Sequence, residues 1–195
     1  MARGASDRGT GILRIAAVVY GGMAIVVVGC GALADRSVFY ASEAAKAAGG
    51  SFPMDATAGI VAGCAMVALS RVFTRRTQKG DAMARALAEV LGRVSVRDAI
   101  VLALLSGVAE EMLFRGLLQP MIGWVAASLL FGAAHIAPRR DLWLWTGTSV
   151  VAGFVLGALF AATGNLVAPV VAHFTVNATN LRWLSVHYAG PRSAE

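Results

Sequence analysis

Charge is scarce in this sequence. Of 195 residues only 14% are Asp, Glu, Lys or Arg, against 57% that are hydrophobic. Mean hydropathy is +0.68. A soluble globule of this length cannot hide that much apolar surface, which leaves lipid as the solvent. Cysteine is nearly absent as well. Cys30 and Cys64 both lie inside apolar runs, in no zinc or redox spacing, and read as buried small hydrophobes. Internal repeats and low-complexity tracts are missing, as are the Gly-x-Ser-x-Gly elbow of serine hydrolases and the His-Glu-x-x-His of zincins. The net charge of +6 does not build a basic face beside a soluble fold. Its arginines sit in the gaps between apolar runs, a topology signal that gives no reason to expect a nucleic-acid partner.

What is present is a series of apolar runs within one domain, 1–195. Six are long enough to cross a bilayer, at approximately 15–34, 56–74, 98–119, 121–138, 142–162 and 165–184. The expected fold class is therefore all-α, a polytopic membrane helix bundle of about six transmembrane helices. Arg3, Arg8 and Arg14 precede the first run, and Val27–Cys30 only loosely resembles a lipoprotein cleavage box. Arg71, Arg75, Arg76, Lys79, Arg85, Arg93 and Arg97 end or follow the second run, Arg139 and Arg140 follow the fourth, and Arg182 and Arg192 close the chain. The alternate gaps hold only Arg36 and Lys46. This alternation predicts an even number of spans and both termini in the cytoplasm, in the inner membrane of a bacterium. Residues 80–96 place Met83, Leu87, Val90 and Leu91 at helical spacing, as a short amphipathic cytoplasmic helix or an ordinary linker helix does. Residues 41–53 read as a loop on the far side.

Charges inside a spanning helix are costly and mark candidate sites. The third run holds Glu110, Glu111 and Arg115. Glu111 and Arg115 are four apart and share a helix face, whereas Glu110 points roughly 140° away from Arg115 at 3.6 residues per turn. Glu111 thus has a partner within its helix and serves as structural support. Glu110 is left unpaired, as a general base requires. The fourth run holds His135, four residues after Phe131, and the sixth holds His173 and Asn177 on one face. Counted from the cytoplasmic ends, Glu110 lies roughly 18 Å deep, His173 about 13 Å, Asn177 about 8 Å and His135 only about 5 Å. Tilt and uncertain helix ends can absorb that spread, and a cavity open to the cytoplasm is the expected meeting place. His187 lies beyond the last run and reads as an interface residue.

Such a set suits amide hydrolysis. Glu110 can take a proton from water, an imidazole can share it, and a second His with Asn can donate to an oxyanion. Two histidines and a glutamate can also ligate a metal, a minor reading with so few ligands. A transporter would show broken helices and inverted repeats, and neither is visible. Gly153-x-x-x-Gly157 reads as a close helix contact.

Glu110-Glu111-Met-Leu-Phe-Arg115, Phe131-Gly-Ala-Ala-His135 and His173-Phe-Thr-Val-Asn177 resemble the three motifs of the type II CAAX prenyl endopeptidase and bacteriocin-processing family, also called Abi proteins. The resemblance covers roughly 107–177, with no departure at the motif positions. It implies a glutamate intramembrane protease with no obligatory metal or other cofactor. Glu110 with His135 would activate water, and His173 with Asn177 would form the oxyanion site. The partners implied are the bilayer and a membrane-anchored protein or peptide substrate. The other class of function is a non-catalytic membrane protein of the same family, an immunity factor or scaffold whose polar residues only bind helices together.

Overall fold

Helix is the only way a long apolar run can satisfy its own backbone in lipid. The computed structural model describes residues 3–190, with side chains from Gly11 onward. Arg192 lies outside the described residues, as do the side chains of Arg3 and Arg8. The elements run α1 (Arg3–Leu33), α2 (Glu43–Ala48), α3 (Phe52–Arg76), α4 (Gln78–Leu91), α5 (Val96–Glu111), a π-helical turn (Met112–Leu118), α6 (Gln119–Ile122), α7 (Trp124–Ala134), a 3-10 turn (Arg140–Leu142), α8 (Trp143–Thr163) and α9 (Val167–His187). Among the described residues there is no strand, only an isolated bridge between Tyr40 and Asn165. The chain is an all-α membrane helix bundle.

The outer surface behaves as lipid demands. Ile15, Val18, Ile25 and Val26 of α1 are each more than 60% exposed, a pattern water would penalise. Cys30 and Cys64 are exposed too. The expected burial of these thiols fails because an apolar helix in lipid needs no buried face for its small hydrophobes.

Among the described residues three helices are long and apolar enough to cross a membrane: Gly11–Leu33, Phe52–Arg76 and Arg140–Thr163. The third expected run forms helix without interruption from Val96 to Ile122 through the π turn, and α9 has 21 residues; both carry the polar motif residues. The fourth expected run, 121–138, is shorter than the sequence suggested. Gly123, at φ 84°, ends α6 and starts α7 in a conformation that favours glycine. Helix α7 then has 11 residues, a rise of about 16 Å, about half the hydrocarbon thickness.

Small residues set the spacing of the bundle. Gly59 and Gly63 of α3 lie against Ala168, Val171 and Thr175 of α9, and Gly153 of α8 against the Ser128 backbone of α7. A β-carbon at Gly153 would stand 2.8 Å from the Ser128 carbonyl oxygen. The Gly153/Gly157 pair is therefore a close helix contact, as its spacing predicted.

Helix α4 packs Ala84 and Ala88 against Leu184 of α9, while Val90 faces outward. The Tyr188 hydroxyl donates to Asp81 at 2.8 Å, and with Arg85 it holds that carboxyl below the usual range for aspartate. The Ser185 hydroxyl accepts from the Val94 amide at 2.8 Å, and Arg71 donates to the Asn180 side chain at 2.8 Å and stacks on Trp183. These contacts tie the arginine-rich ends of α3, α4 and α5 to the end of α9.

Candidate active site

Four α5 turns of small and branched residues lead to Glu110 and Glu111, both buried. The helix then widens into the π turn, a distortion that frequently accompanies functional sites. Gly116 within it lies so close to the Val38 backbone that a β-carbon would collide.

Glu111 is fully enclosed and holds two partners. Arg115 donates from Nη1 to Oε1 at 3.1 Å, and its Nε stands 3.1 Å from Oε2. The Nδ1 of His173 lies 2.7 Å from the same Oε1. A carboxylate only accepts here, so His173 carries its proton on Nδ1 and points Nε2 away. Arg115 also donates to the Gly153 carbonyl at 3.1 Å and lies 4.4 Å over the Phe131 ring. The expected Glu111–Arg115 pair is present, and it does more than close a helix turn. It anchors α8 and fixes the orientation of an α9 histidine.

Glu110 has no such anchor. Its Oε2 is buried without a hydrogen-bond partner and lies 3.7 Å from Nε2 of His135. That gap exceeds a direct hydrogen bond, and one water beside both atoms would reach each. His135 caps the C-terminus of α7, where Nδ1 lies 2.7 Å from the Phe131 carbonyl. A carbonyl only accepts, so Nδ1 carries a proton, and in the neutral tautomer Nε2 is the acceptor that faces Glu110. Thr146 of α8 donates to the His135 carbonyl at 2.9 Å, and Trp145 meets its ring edge-on at 5.2 Å.

The difference in depth expected between Glu110 and His135 is absent, because α7 ends at Ala134 and sets His135 3.7 Å from Glu110. The Phe131 ring, 4.6 Å from His135 and 5.8 Å from His173, joins the two histidines across α7 and α9. Asn177 stands one turn beyond His173 and donates to the Ser106 hydroxyl at 3.0 Å. Ser106, one turn before Glu110 on α5, went unnoticed in the sequence; its only signal was that four-residue spacing. Gly107 faces the Phe174 backbone of α9. A cavity of about 350 Å³ is lined by Val28, Arg36, Phe39 and Lys46, and by none of the motif residues. Among the described residues, no group of three or more His, Cys, Asp or Glu side chains is arranged to hold a metal. Both Glu111 oxygens are turned to Arg115 and His173 instead.

The same residues carry the similarity to known proteins. The family model described as Type II CAAX prenyl endopeptidase Rce1-like matches residues 93–179. Residues 93–179 are thus similar to this family. This segment runs from the start of α5 into α9 and contains Glu110, Glu111, Arg115, Phe131, His135, His173 and Asn177. The uncharacterized protein YpbD of Bacillus subtilis (strain 168) is 41% identical over 90 residues, 46% of this chain and 47% of that protein. The chain thus spans about half the length of this curated relative. No solved structure matches the chain. Helices α1 and α3 lie outside the Rce1-like segment, although α3 runs along α9 and α1 along α5.

Proposed function

We propose that this protein is an intramembrane endopeptidase that hydrolyses a peptide bond of a membrane-associated or carboxyl-terminally anchored protein. The Rce1-like segment supports a CAAX-type protease family. The observation that carries the reading is Glu110 Oε2, buried without a partner and 3.7 Å from the acceptor nitrogen of His135.

In this mechanism a water between the two gives its proton to Glu110 as its oxygen attacks the scissile carbonyl carbon. The carbonyl π electrons move to oxygen. The second Nδ2 hydrogen of Asn177, not used on Ser106, donates to that oxyanion. With Nδ1 held by Glu111, His173 donates from Nε2 to the same oxyanion when its ring holds both protons. Glu110 then passes its proton to the departing amine as the carbon–nitrogen bond breaks. Each step uses side chains of this chain, and none routes through a metal or other cofactor. Comparative proteomics of bacterial membranes carrying wild-type or Glu110→Ala protein tests the reading. A membrane protein that keeps a terminal segment only in the Glu110→Ala strain is expected. Identical membrane proteomes would leave the family's non-catalytic reading in its place.

The arginine alternation further supports a multi-pass protein of the bacterial inner membrane with both termini cytoplasmic. Reporter fusions at residues 1 and 195 are expected to report the same, cytoplasmic, face. Opposite faces would overturn this topology.

A further inference from the structure

His135 stands at the very end of α7, and α7 itself supplies part of what orients it. The Phe131 carbonyl accepts from Nδ1 at 2.7 Å, and the Gly132 carbonyl accepts from the His135 amide at 3.0 Å. Both bonds would travel with α7 if its end moved. A hydrogen bond from a different helix also reaches this residue: Thr146 of α8 donates from Oγ1 to the His135 carbonyl at 2.9 Å. Beside it Trp145 meets the His135 ring edge-on at 5.2 Å.

Other threonines of the bundle bond differently. Thr57, Thr163 and Thr175 each donate to the carbonyl four residues earlier in their own helix, which satisfies a hydroxyl in lipid locally. Thr146 has the Leu142 carbonyl at the same spacing and turns to His135 instead. The identity of the bridging helix matters too. Arg115, one turn beyond Glu111, donates to the Gly153 carbonyl of α8 at 3.1 Å. Gly153 and Thr146 are about two turns apart on that helix. Helix α8 therefore holds the Glu110 side of the site through Arg115 and the His135 side through Thr146.

We propose that Thr146 is a positioning residue for His135, fixing the end of α7 on α8 so that Nε2 keeps its 3.7 Å separation from Glu110. The kinetic role rests on the reading of Glu110 and His135 as the water-activating pair; the hold on the ring does not.

The test uses the full-length protein in phosphatidylcholine vesicles, labelled with carbonyl-¹³C histidine and ¹⁵N isoleucine for solid-state NMR. His135–Ile136 is the one His–Ile peptide of the sequence, so the coupled carbonyl signal belongs to a single site. Thr146→Val keeps the side-chain shape and removes the donor. It is expected to move that signal upfield, and Thr146→Ser to return it to the wild-type position. In ¹⁵N-histidine protein the three imidazoles are assigned with histidine-to-alanine variants. Thr146→Val is expected to shift the His135 ring signals and to leave those of His173 and His187 in place. An unmoved carbonyl, a moved carbonyl with an unmoved ring, or shifts at all three rings overturns the proposal, the last by showing general repacking. In parallel, cleavage of a quenched farnesylated CAAX peptide is followed. Thr146→Val is expected to lower kcat about 10–100-fold with KM within about 2-fold, the effect of a misplaced catalytic group, and Thr146→Ser to recover it. In a His135→Ala background the same substitution is expected to lower kcat no further, because the group it positions is gone. A loss confined to KM, or an equal loss of kcat in that background, overturns the positioning role. If wild type leaves this peptide uncut while the NMR contrast holds, the CAAX reading fails and the hold of Thr146 on His135 stands.

Discussion

Glu110→Gln protein is expected to fold at wild-type yield and to lose proteolysis by about 10²–10⁴-fold, the range for removal of a general base. The two side chains have nearly the same shape, so the site keeps its packing. No hydrogen bond is lost at Oε2 of Glu110, which has no such partner and faces His135 across 3.7 Å. What disappears is the ability to take a proton from water. The measurement is the cleavage rate of a membrane substrate by purified protein, beside its thermal unfolding in the same detergent. Folded Glu110→Gln protein that cleaves at more than about a tenth of the wild-type rate would remove Glu110 from the mechanism.

Arg115→Met is expected to be the most damaging single change to stability, by about 3–5 kcal/mol, as for removal of one partner of a buried pair. The arginine is 1% exposed, bridges Glu111 to the Gly153 carbonyl and lies over Phe131. Methionine retains most of the apolar stem, so the loss isolates the charge and its hydrogen bonds. Glu111 would then be left with His173 as its only partner. A detergent-solubilised Arg115→Met protein that unfolds at the wild-type temperature would refute this role. Glu111→Gln is a mixed case. Sequence spacing alone gives Glu111 a folding role, but in the structure it also orients His173, so both stability and turnover are at stake.

These expectations show where sequence reading stops. Helical spacing placed Glu111 beside Arg115 and left Glu110 free, because partners four apart on one helix are a local matter. It could not see the π turn that begins one residue later, since that widening accompanies the close approach of Gly116 to the Val38 backbone. Nor could it place His135. Depth counted along an assumed full span separated it from Glu110, whereas Gly123 and the end at Ala134 make α7 a short element that sets His135 3.7 Å from that carboxylate. Ser106 was silent for a related reason. A serine in an apolar run costs little in a hydropathy reading, and only the packing of α9 on α5 gives it a partner.

By itself the sequence determined the class of the molecule and singled out the polar positions within its helices. Scarce charge with long apolar runs demands helices in lipid, and ionisable groups are too costly there to occur without a task or a partner. Only the tertiary structure decided how those positions divide. It gave Glu111 to Arg115 and His173 together, brought His135 to Glu110, and set Phe131 between the histidines. The physical reason is range. Composition and helical period act within one segment, while the partner of a buried polar group is set by which helices small residues allow into contact, and the sequence does not state that pairing.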